Sequence, residues 1–381
     1  MRIAIITESF PPDVNGVAHS VVRVAEHLVA RGHTPLVIAP APSSTARGIT
    51  GAHPFPVIRV PSVPMPGYRG FRLGLPLPRV SDALIAHAPD LVHLASPFVL
   101  GARGSALAWR RQMPTVAVYQ TDVPGYARAY GVGWGEAMAW RWIRNIHNAA
   151  DRTLAPSTAS AAALVAHGVE RVWLWRRGVD TARFHPQRRS AALRRVLAPH
   201  GEVLVGYVGR LAPEKQVGLL AGVSRLPAVR LVVIGDGPAR GELERELPGA
   251  VFVGERHGTQ LARLYASLDV FAHTGPYETF GQTVQEALAS GVPVVAPAVG
   301  GPIDLVRPGV TGELVAPGDA GALKDAVATL AAAPETRRRY GVAARAAVAD
   351  RGWDVVGDEL IGHYAAVLAG PGVPAAVQAA A

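Results

Sequence analysis

The chain has 381 residues, 49% of them hydrophobic and 18% charged, which excludes disordered and fibrous classes and leaves room for two domains. It has no cysteine, so disulfides, a cysteine nucleophile and thiolate-bound zinc or iron–sulfur centres are excluded as well. The net charge of +9 lies entirely in one half: residues 1–185 hold 19 Arg against 10 Asp and Glu, whereas residues 186–381 hold 19 basic and 19 acidic residues.

In chain order, apolar runs read as strands at Arg2 to Thr7, Pro35 to Ala39, Val57 to Val60, Leu91 to Ala95, Thr115 to Tyr119 and Thr153 to Ala155. Helical segments fall between them, notably Val17 to Ala30 and Thr158 to His167. The second half repeats the scheme with strands at Val203 to Val208, Arg230 to Ile234, Val251 to Gly254, Val270 to His273 and Val294 to Ala296. Strands that alternate with helices predict an α/β class with two doubly wound, Rossmann-like domains. Their expected extents are 1–185 and 190–351, joined near Arg183 to Ser190, with a final amphipathic helix over about 352–368 returning to the first domain. The opening run Met1 to Glu8 is too short for a signal-peptide core, and no run approaches the ~18 consecutive apolar residues of a spanning helix.

Ligands of such sheets bind in loops at the carboxyl ends of strands. The loop Ser9 to Val17 ends in Gly16 at a helix start, where the backbone can approach an anion; an ordinary tight turn would look the same. Val232 to Gly241 carries a G-x-G-x-x-x-G outline near that of a dinucleotide-binding fingerprint. It follows the second strand of its half rather than the first, and Pro238 suits a helix start, so an oxidoreductase reading is set aside. Gly209-Arg210-Leu211-Ala212-Pro213-Glu214-Lys215 follows a strand and holds one of only two lysines. That lysine suits a phosphate, with Arg210 beside it; a surface pair with Glu214 is the plainer alternative.

The densest constellation is Gly275 to Val295. Thr279 reads as the cap of a helix starting near Phe280, and Gly291-Val292-Pro293 ends it. Glu278 then precedes the helix and Glu286 lies about two turns inside it, roughly 12 Å away on a continuous helix. Such carboxylates suit two groups of one extended ligand, although two solvated glutamates would look the same. The segment Val60 to Pro76 interleaves Arg69 and Arg72 with Tyr68, Phe71 and Leu73; its prolines forbid a regular helix and it reads as an interfacial loop. Trp134 and the run Trp140-Arg141-Trp142-Ile143-Arg144 read either as a membrane-facing helix or as core packing. No helix-turn-helix, zinc module or ribonucleoprotein motif is present, so nucleic acid is not an expected partner.

From Glu278 to Glu286 the chain resembles the Glu, seven residues, Glu motif of retaining GT-B glycosyltransferases of the family 4 type. That large family contains sucrose and glycogen synthases, phosphatidylinositol mannosyltransferases and sulfoquinovosyltransferases. The likeness extends through the Gly16 loop, Gln120 to Tyr126, Arg177-Gly178-Val179-Asp180 with Phe184 and Pro186, Gly209-Arg210 with Glu214-Lys215, and Gly235 to Pro238. His273-Thr274-Gly275, Glu278-Thr279-Phe280, Gln282 to Glu286 and Gly300-Gly301-Pro302 are similar to the actinobacterial GDP-mannose-dependent alpha-mannosyltransferases.

This resemblance implies a GT-B fold and transfer of a hexose, mannose from GDP-mannose, to a lipid or glycolipid hydroxyl with retention. It implies that Arg210 and Lys215 bind the donor pyrophosphate, Glu286 the ribose hydroxyls and Glu278 the transferred sugar. Backbone amides around Phe280, Gly281 and Thr283 would meet sugar and phosphate, and Gly16 would lie on the donor. Many relatives have histidine where this chain has Gln120, which can hydrogen-bond but cannot titrate; Gln120, Asp122 and Tyr126 are candidates for acceptor or sugar contact. No Asp-x-Asp motif is present, so neither a protein-bound metal nor another cofactor is expected. The basic first half suggests an anionic membrane surface as partner and a cytoplasmic, peripheral location at the inner face of the plasma membrane. A UDP-hexose donor of the glucosyl or sulfoquinovosyl type, or a nucleotide-sugar 2-epimerase of the same fold, are the alternatives.

Overall fold

A computed structural model describes residues 1–370 apart from 14, 43–51, 66–71, 76–77, 96–98, 130 and 132–133. By internal packing the chain divides into two units. The first comprises 1–124, 134–177 and the segment from 353; the second comprises 125–133 and 178–352.

The first unit holds β1 (Arg2–Ile6), β2 (Thr34–Pro40), β3 (Val57–Val60), β4 (Ser62–Pro64), β5 (Arg72–Gly74), β6 (Leu91–Leu94), β7 (Thr115–Val118), β8 (Arg152–Ala155) and β9 (Val172–Leu174). Seven of these form one parallel sheet in the order β3-β2-β1-β6-β7-β8-β9. Ile3 to Ile6 and Leu91 to Leu94 are buried without interruption. Helices cover both faces of such a sheet, so its strands read as unbroken apolar runs rather than alternating ones.

Helix Gly16–Ala30 presents Ala18, Val21, Val24, Ala25 and Leu28 inward, the spacing of one helical face. Asn15 caps its start by accepting from the amides of Val17 and Ala18, each at 3.0 Å. Helix Trp353–Leu368 sends Val356, Leu360 and Tyr364 into the same core as Ile3, Val21 and Leu28. Gly357 permits close contact there, since a Cβ would stand 2.3 Å from the His27 ring. Asp358 then pairs with Arg31 and, at 2.8 Å, with His27.

The segment read as an interfacial loop instead contributes β4 and β5, which pair antiparallel with Ser62 opposite Gly74. Its prolines exclude a helix but not a short hairpin ladder, since a two-stranded pair leaves half its amides unpaired anyway. Tyr68, Arg69 and Phe71 lie outside the described residues, as does Trp134's side chain.

The second unit holds β10 (Val203–Val208), β11 (Val229–Ile234), β12 (Val251–Gly254), β13 (Val270–Ala272), β14 (Val294–Pro297) and β15 (Gly312–Val315), all parallel, in the order β12-β11-β10-β13-β14-β15. Strand order reverses between β1 and β6 in the first sheet and between β10 and β13 in the second. At each reversal the loops leave in opposite directions and open a crevice. Val179 and Phe184 belong to the second unit's core, beside Tyr265, Phe271 and Val284.

Candidate active site

In the second unit, the crevice is bounded by the loop after β10, which carries Arg210 and Lys215, and the loop after β13, which carries Glu278. Four glycines, two against each loop, fix their backbones by close approach. A Cβ on Gly235 would lie 2.0 Å from the Gly209 carbonyl oxygen, and one on Gly237 2.2 Å from that of Leu211. The G-x-G after β11 therefore lets its own loop lie directly against the loop holding Arg210, a reason for glycine unrelated to dinucleotide binding. Likewise a Cβ on Gly300 would lie 2.5 Å from the Glu278 carbonyl oxygen, and one on Gly301 2.1 Å from that of Phe280. The Gly301 amide donates to the Glu278 carbonyl at 2.7 Å, so the turn after β14 clamps the backbone of Glu278 to Phe280.

Lys215 ends a short 3-10 turn, Pro213–Lys215. Its carbonyl accepts from the Thr274 hydroxyl at 2.6 Å, which ties the two loops together. Glu214 is buried, and the Lys215 ammonium pairs with Glu278 rather than with its neighbour. Burial disfavours the ammonium, but Glu278, with Tyr126 and Tyr207, outweighs it and raises the lysine pKa. Lys215 is therefore a fixed cation at every physiological pH.

His273 adds Nε2 at 3.7 Å from Glu278 Oε1 and at 3.1 Å from the Gly275 carbonyl. Burial lowers its pKa, only partly opposed by Glu278, so the ring is a neutral hydrogen-bonding group. Tyr207 has no sequence signal beyond its position at a strand end, whereas His273 belongs to the run His273-Thr274-Gly275 on which the family resemblance rests.

The helix of this motif spans Gln282–Ala289, not a start near Phe280, and Thr279 does not cap it. Gly281 occupies the cap position with φ +93°, a left-handed conformation in which a continuous helix cannot proceed. Glu286 thus lies about one turn inside the helix rather than two, and Glu278 belongs to a separately clamped loop. The Phe280 side chain is buried, Thr283 and Glu286 are half-buried. Burial pushes the Glu286 carboxyl up to about 7, opposed by Tyr265, Gln282 and Arg183. The Gln282 side chain also donates to the Gly178 carbonyl at 3.2 Å.

In the first unit the crevice loops are built differently. Glu8, just beyond β1, is buried and accepts from the amides of Gly74, at 3.0 Å, and Leu100. It thereby joins β1 to β5 and to the start of helix Val99–Arg110; burial pushes its pKa to about 7 against those amides. The Asn15 amide donates to Ser9 Oγ at 2.6 Å, and Ser9 Oγ donates to Asp13 at 3.1 Å. Gln120, after β7, is buried and donates to the Ala95 carbonyl at 2.9 Å. Asp122 is half-buried and accepts from the Tyr119 hydroxyl at 3.3 Å, whereas Tyr126 lies near Lys215 in the second unit. Gly16 leaves space for a protein group: a Cβ there would be 2.9 Å from Arg177 Nη1.

The helix carrying the tryptophan-rich run is Trp134–Asn148, and it divides the two readings of that run. Trp140 and Ile143 are buried, Trp140 stacking on His167 at 3.7 Å. Trp142 is 49% and Met138 58% exposed, with Arg141 and Arg144 exposed on the same helix. On the neighbouring helix Val99–Arg110, Trp109 is 70% exposed. Among the described residues no helix is long and apolar enough to cross a membrane, and no cluster of three metal-ligating side chains occurs.

Two family models match this chain. "Glycosyltransferase Family 4" covers residues 14–183 and "Glycosyl transferases group 1" covers 189–347. A GDP-mannose-dependent alpha-mannosyltransferase of Mycobacterium tuberculosis is 52% identical over 96% of this chain and 97% of its own length. A protein of the same description from Corynebacterium glutamicum is 45% identical over 97% of this chain and 90% of its own. Among solved structures, sucrose-phosphate synthase from Thermosynechococcus elongatus aligns over 97% of this chain and 100% of its own with a TM-score of 0.80 at 23% identity, a likeness of fold.

Proposed function

Because the chain belongs to the glycosyltransferases that join a family 4 amino-terminal region to a group 1 module, and is therefore an enzyme of GT-B fold, we propose that it moves a mannosyl group from GDP-mannose to a lipid-linked hydroxyl. The observation that carries the donor assignment is 52% identity along nearly the full length of a GDP-mannose-dependent relative, together with a clamped Lys215–Glu278 pair at the crevice.

In this reading Lys215 and Arg210 bind the donor diphosphate, whose negative charge grows as the bond to the sugar breaks. Fixed cations placed where charge develops are the strongest electrostatic device available to such a site. Glu278 holds the mannosyl hydroxyls, and Glu286 accepts from the ribose diol. The amides near Phe280, Gly281 and Thr283 face the sugar and phosphates at the start of helix Gln282–Ala289. Without donor, Lys215 and Glu278 neutralise one another; the bound donor gives each its own partner, the lysine a phosphate and the glutamate a sugar. Gly16, Gln120, Asp122 and Tyr126 complete the contacts to sugar or acceptor.

The reaction breaks the bond from C1 to the diphosphate oxygen and forms one from C1 to the acceptor oxygen. With attack on the face the diphosphate leaves, configuration is retained and the departing phosphate oxygen takes the acceptor proton. No protein nucleophile is invoked in this scheme.

The acceptor side is proposed to lie on an anionic membrane. The first half carries the whole charge excess, and the exposed Met138, Arg141, Trp142 and Arg144 combine apolar and cationic contacts suited to a headgroup layer. The deciding experiment supplies GDP-mannose or UDP-glucose with a polar-lipid extract and follows sugar in the lipid phase. Mannolipid formed from GDP-mannose alone supports the proposal; transfer from UDP-glucose alone replaces the donor. Donor turnover with the same sugar recovered in epimerised form, and no lipid product, replaces the reaction class.

A further inference from the structure

Arg177 is 5% exposed and lies just beyond β9. Burying a guanidinium is expensive unless its donors are satisfied, and this one spends its fork on two loops far apart in sequence. Nη1 donates to the Gly16 carbonyl at 2.9 Å, and Nη2 donates to Gln120 Oε1. Gln120 passes the connection on, its amide nitrogen donating to the Ala95 carbonyl beyond β6. One planar side chain thus holds together the loops after β1, β6 and β7, which are the loops at and beside the strand-order reversal of this sheet. The geometry at Gly16 is reciprocal: a side chain there would meet the guanidinium at 2.9 Å, so the glycine is what admits the arginine.

Resting on the mannosyl-transfer reading above, we infer that Arg177 is a positioning residue for the reaction. It fixes the start of helix Gly16–Ala30 and the amide of Gln120 as one rigid unit. The orientation of Gln120 follows directly. With its oxygen held by the arginine and its nitrogen by a backbone carbonyl, the amide has no reason to flip, and it meets substrate in one hydrogen-bonding sense. A lysine cannot replace the arginine, because a single ammonium lacks the rigid fork that serves two acceptors in one plane. Arg177 touches no reacting atom in this account; it acts through Gly16 and Gln120.

The test is a double-mutant cycle on full-length enzyme, with R177M, Q120A and the pair assayed for mannosyl transfer and for GDP binding. Displacing a positioned contact by ~1 Å costs on the order of 100-fold. R177M should lower kcat by that order while the dissociation constant for GDP, held in the second unit, stays within about threefold, a difference of ~0.7 kcal/mol. In the Q120A background most of the R177M effect should disappear, since two residues that act as one unit are non-additive. G16A should reproduce the R177M phenotype, and R177K should recover only part of the activity. Full additivity of R177M and Q120A, or wild-type kcat in R177M, overturns the inference. A melting temperature in G16A near that of wild type shows that loss of turnover is not unfolding. If the wild-type enzyme itself binds GDP but transfers no mannose, the underlying reading fails instead, and the two failures are distinct.

Discussion

The two crevices share a topology and differ in how they use charge. At the reversal between β10 and β13, a half with no net charge concentrates a lysine–glutamate ion pair and a neutral histidine 3.7 Å from the glutamate. At the reversal between β1 and β6, a half carrying +9 is built mainly from amides, a buried carboxyl and one buried arginine committed to protein acceptors. Its surplus cations include exposed side chains on outer helices, such as Arg110, Arg141 and Arg144. Net charge therefore says little about where a diphosphate binds, and more about which outer surface meets an anionic partner.

If fixed charge at the second crevice performs the chemistry, its removal should have the largest effect. K215M and E278Q should each reduce kcat/KM by about 100- to 1000-fold, the scale seen when one preorganised electrostatic donor is lost. Each also breaks a partly buried ion pair, so melting curves belong beside the assay; the K215M/E278Q pair should be the more stable variant and equally inactive. Near-normal turnover in any of the three would dissolve the contrast between the crevices.

Outer-surface charge should produce a smaller, salt-sensitive effect. Replacing Arg141 and Arg144 by Gln should weaken retention on phosphatidylglycerol vesicles roughly 30-fold at low salt, at ~1 kcal/mol per basic residue, without altering GDP affinity. Retention that ignores both the substitutions and added salt would move the membrane contact elsewhere.

A third effect follows from Glu286, whose carboxyl is pushed up to about 7 by burial. If Glu286 holds the ribose, only its carboxylate can accept from both hydroxyls, so a raised pKa means the binding form is lost on the acid side. GDP affinity should fall by about tenfold per pH unit below 7 and level off above it, and E286Q should show weak, pH-independent binding. A flat wild-type profile from about pH 6 to about pH 8 would remove Glu286 from the ribose. The smallest expected effect is that of a chelator: if Lys215 and Arg210 supply the positive charge, transfer should change by less than about twofold, against the several kcal/mol that a bound Lewis acid would contribute.

Much of the fold is legible as apolar runs because parallel strands buried on both faces leave few polar interruptions. The strands at Val57–Val60, Val203–Val208 and Val251–Gly254 have the expected bounds. β9 and β15 escape that reading: one is three residues long and the other begins at a glycine after a turn. The motif around Glu278 is visible by residue type, but its shape is not. Thr279 resembles a cap by composition, while the positive φ of Gly281 and the close approach of Gly300 and Gly301 decide where the helix starts. Gly16, Gln120 and Arg177 each fall in a run that carries the family resemblance, but their contact is invisible in the sequence, since residues 16, 95, 120 and 177 meet only when four strands align. Trp140 and Trp142, two residues apart, separate into core and surface only once the face of their helix is known.

Whether the loops after β10 and β13 hold GDP for mannosyl transfer is read by calorimetric titration of the purified enzyme with GDP, UDP and ADP. GDP should bind the wild type most tightly of the three, and K215M should abolish the heat. Tighter binding of UDP, or unchanged GDP binding in K215M, would contradict that role for the two loops.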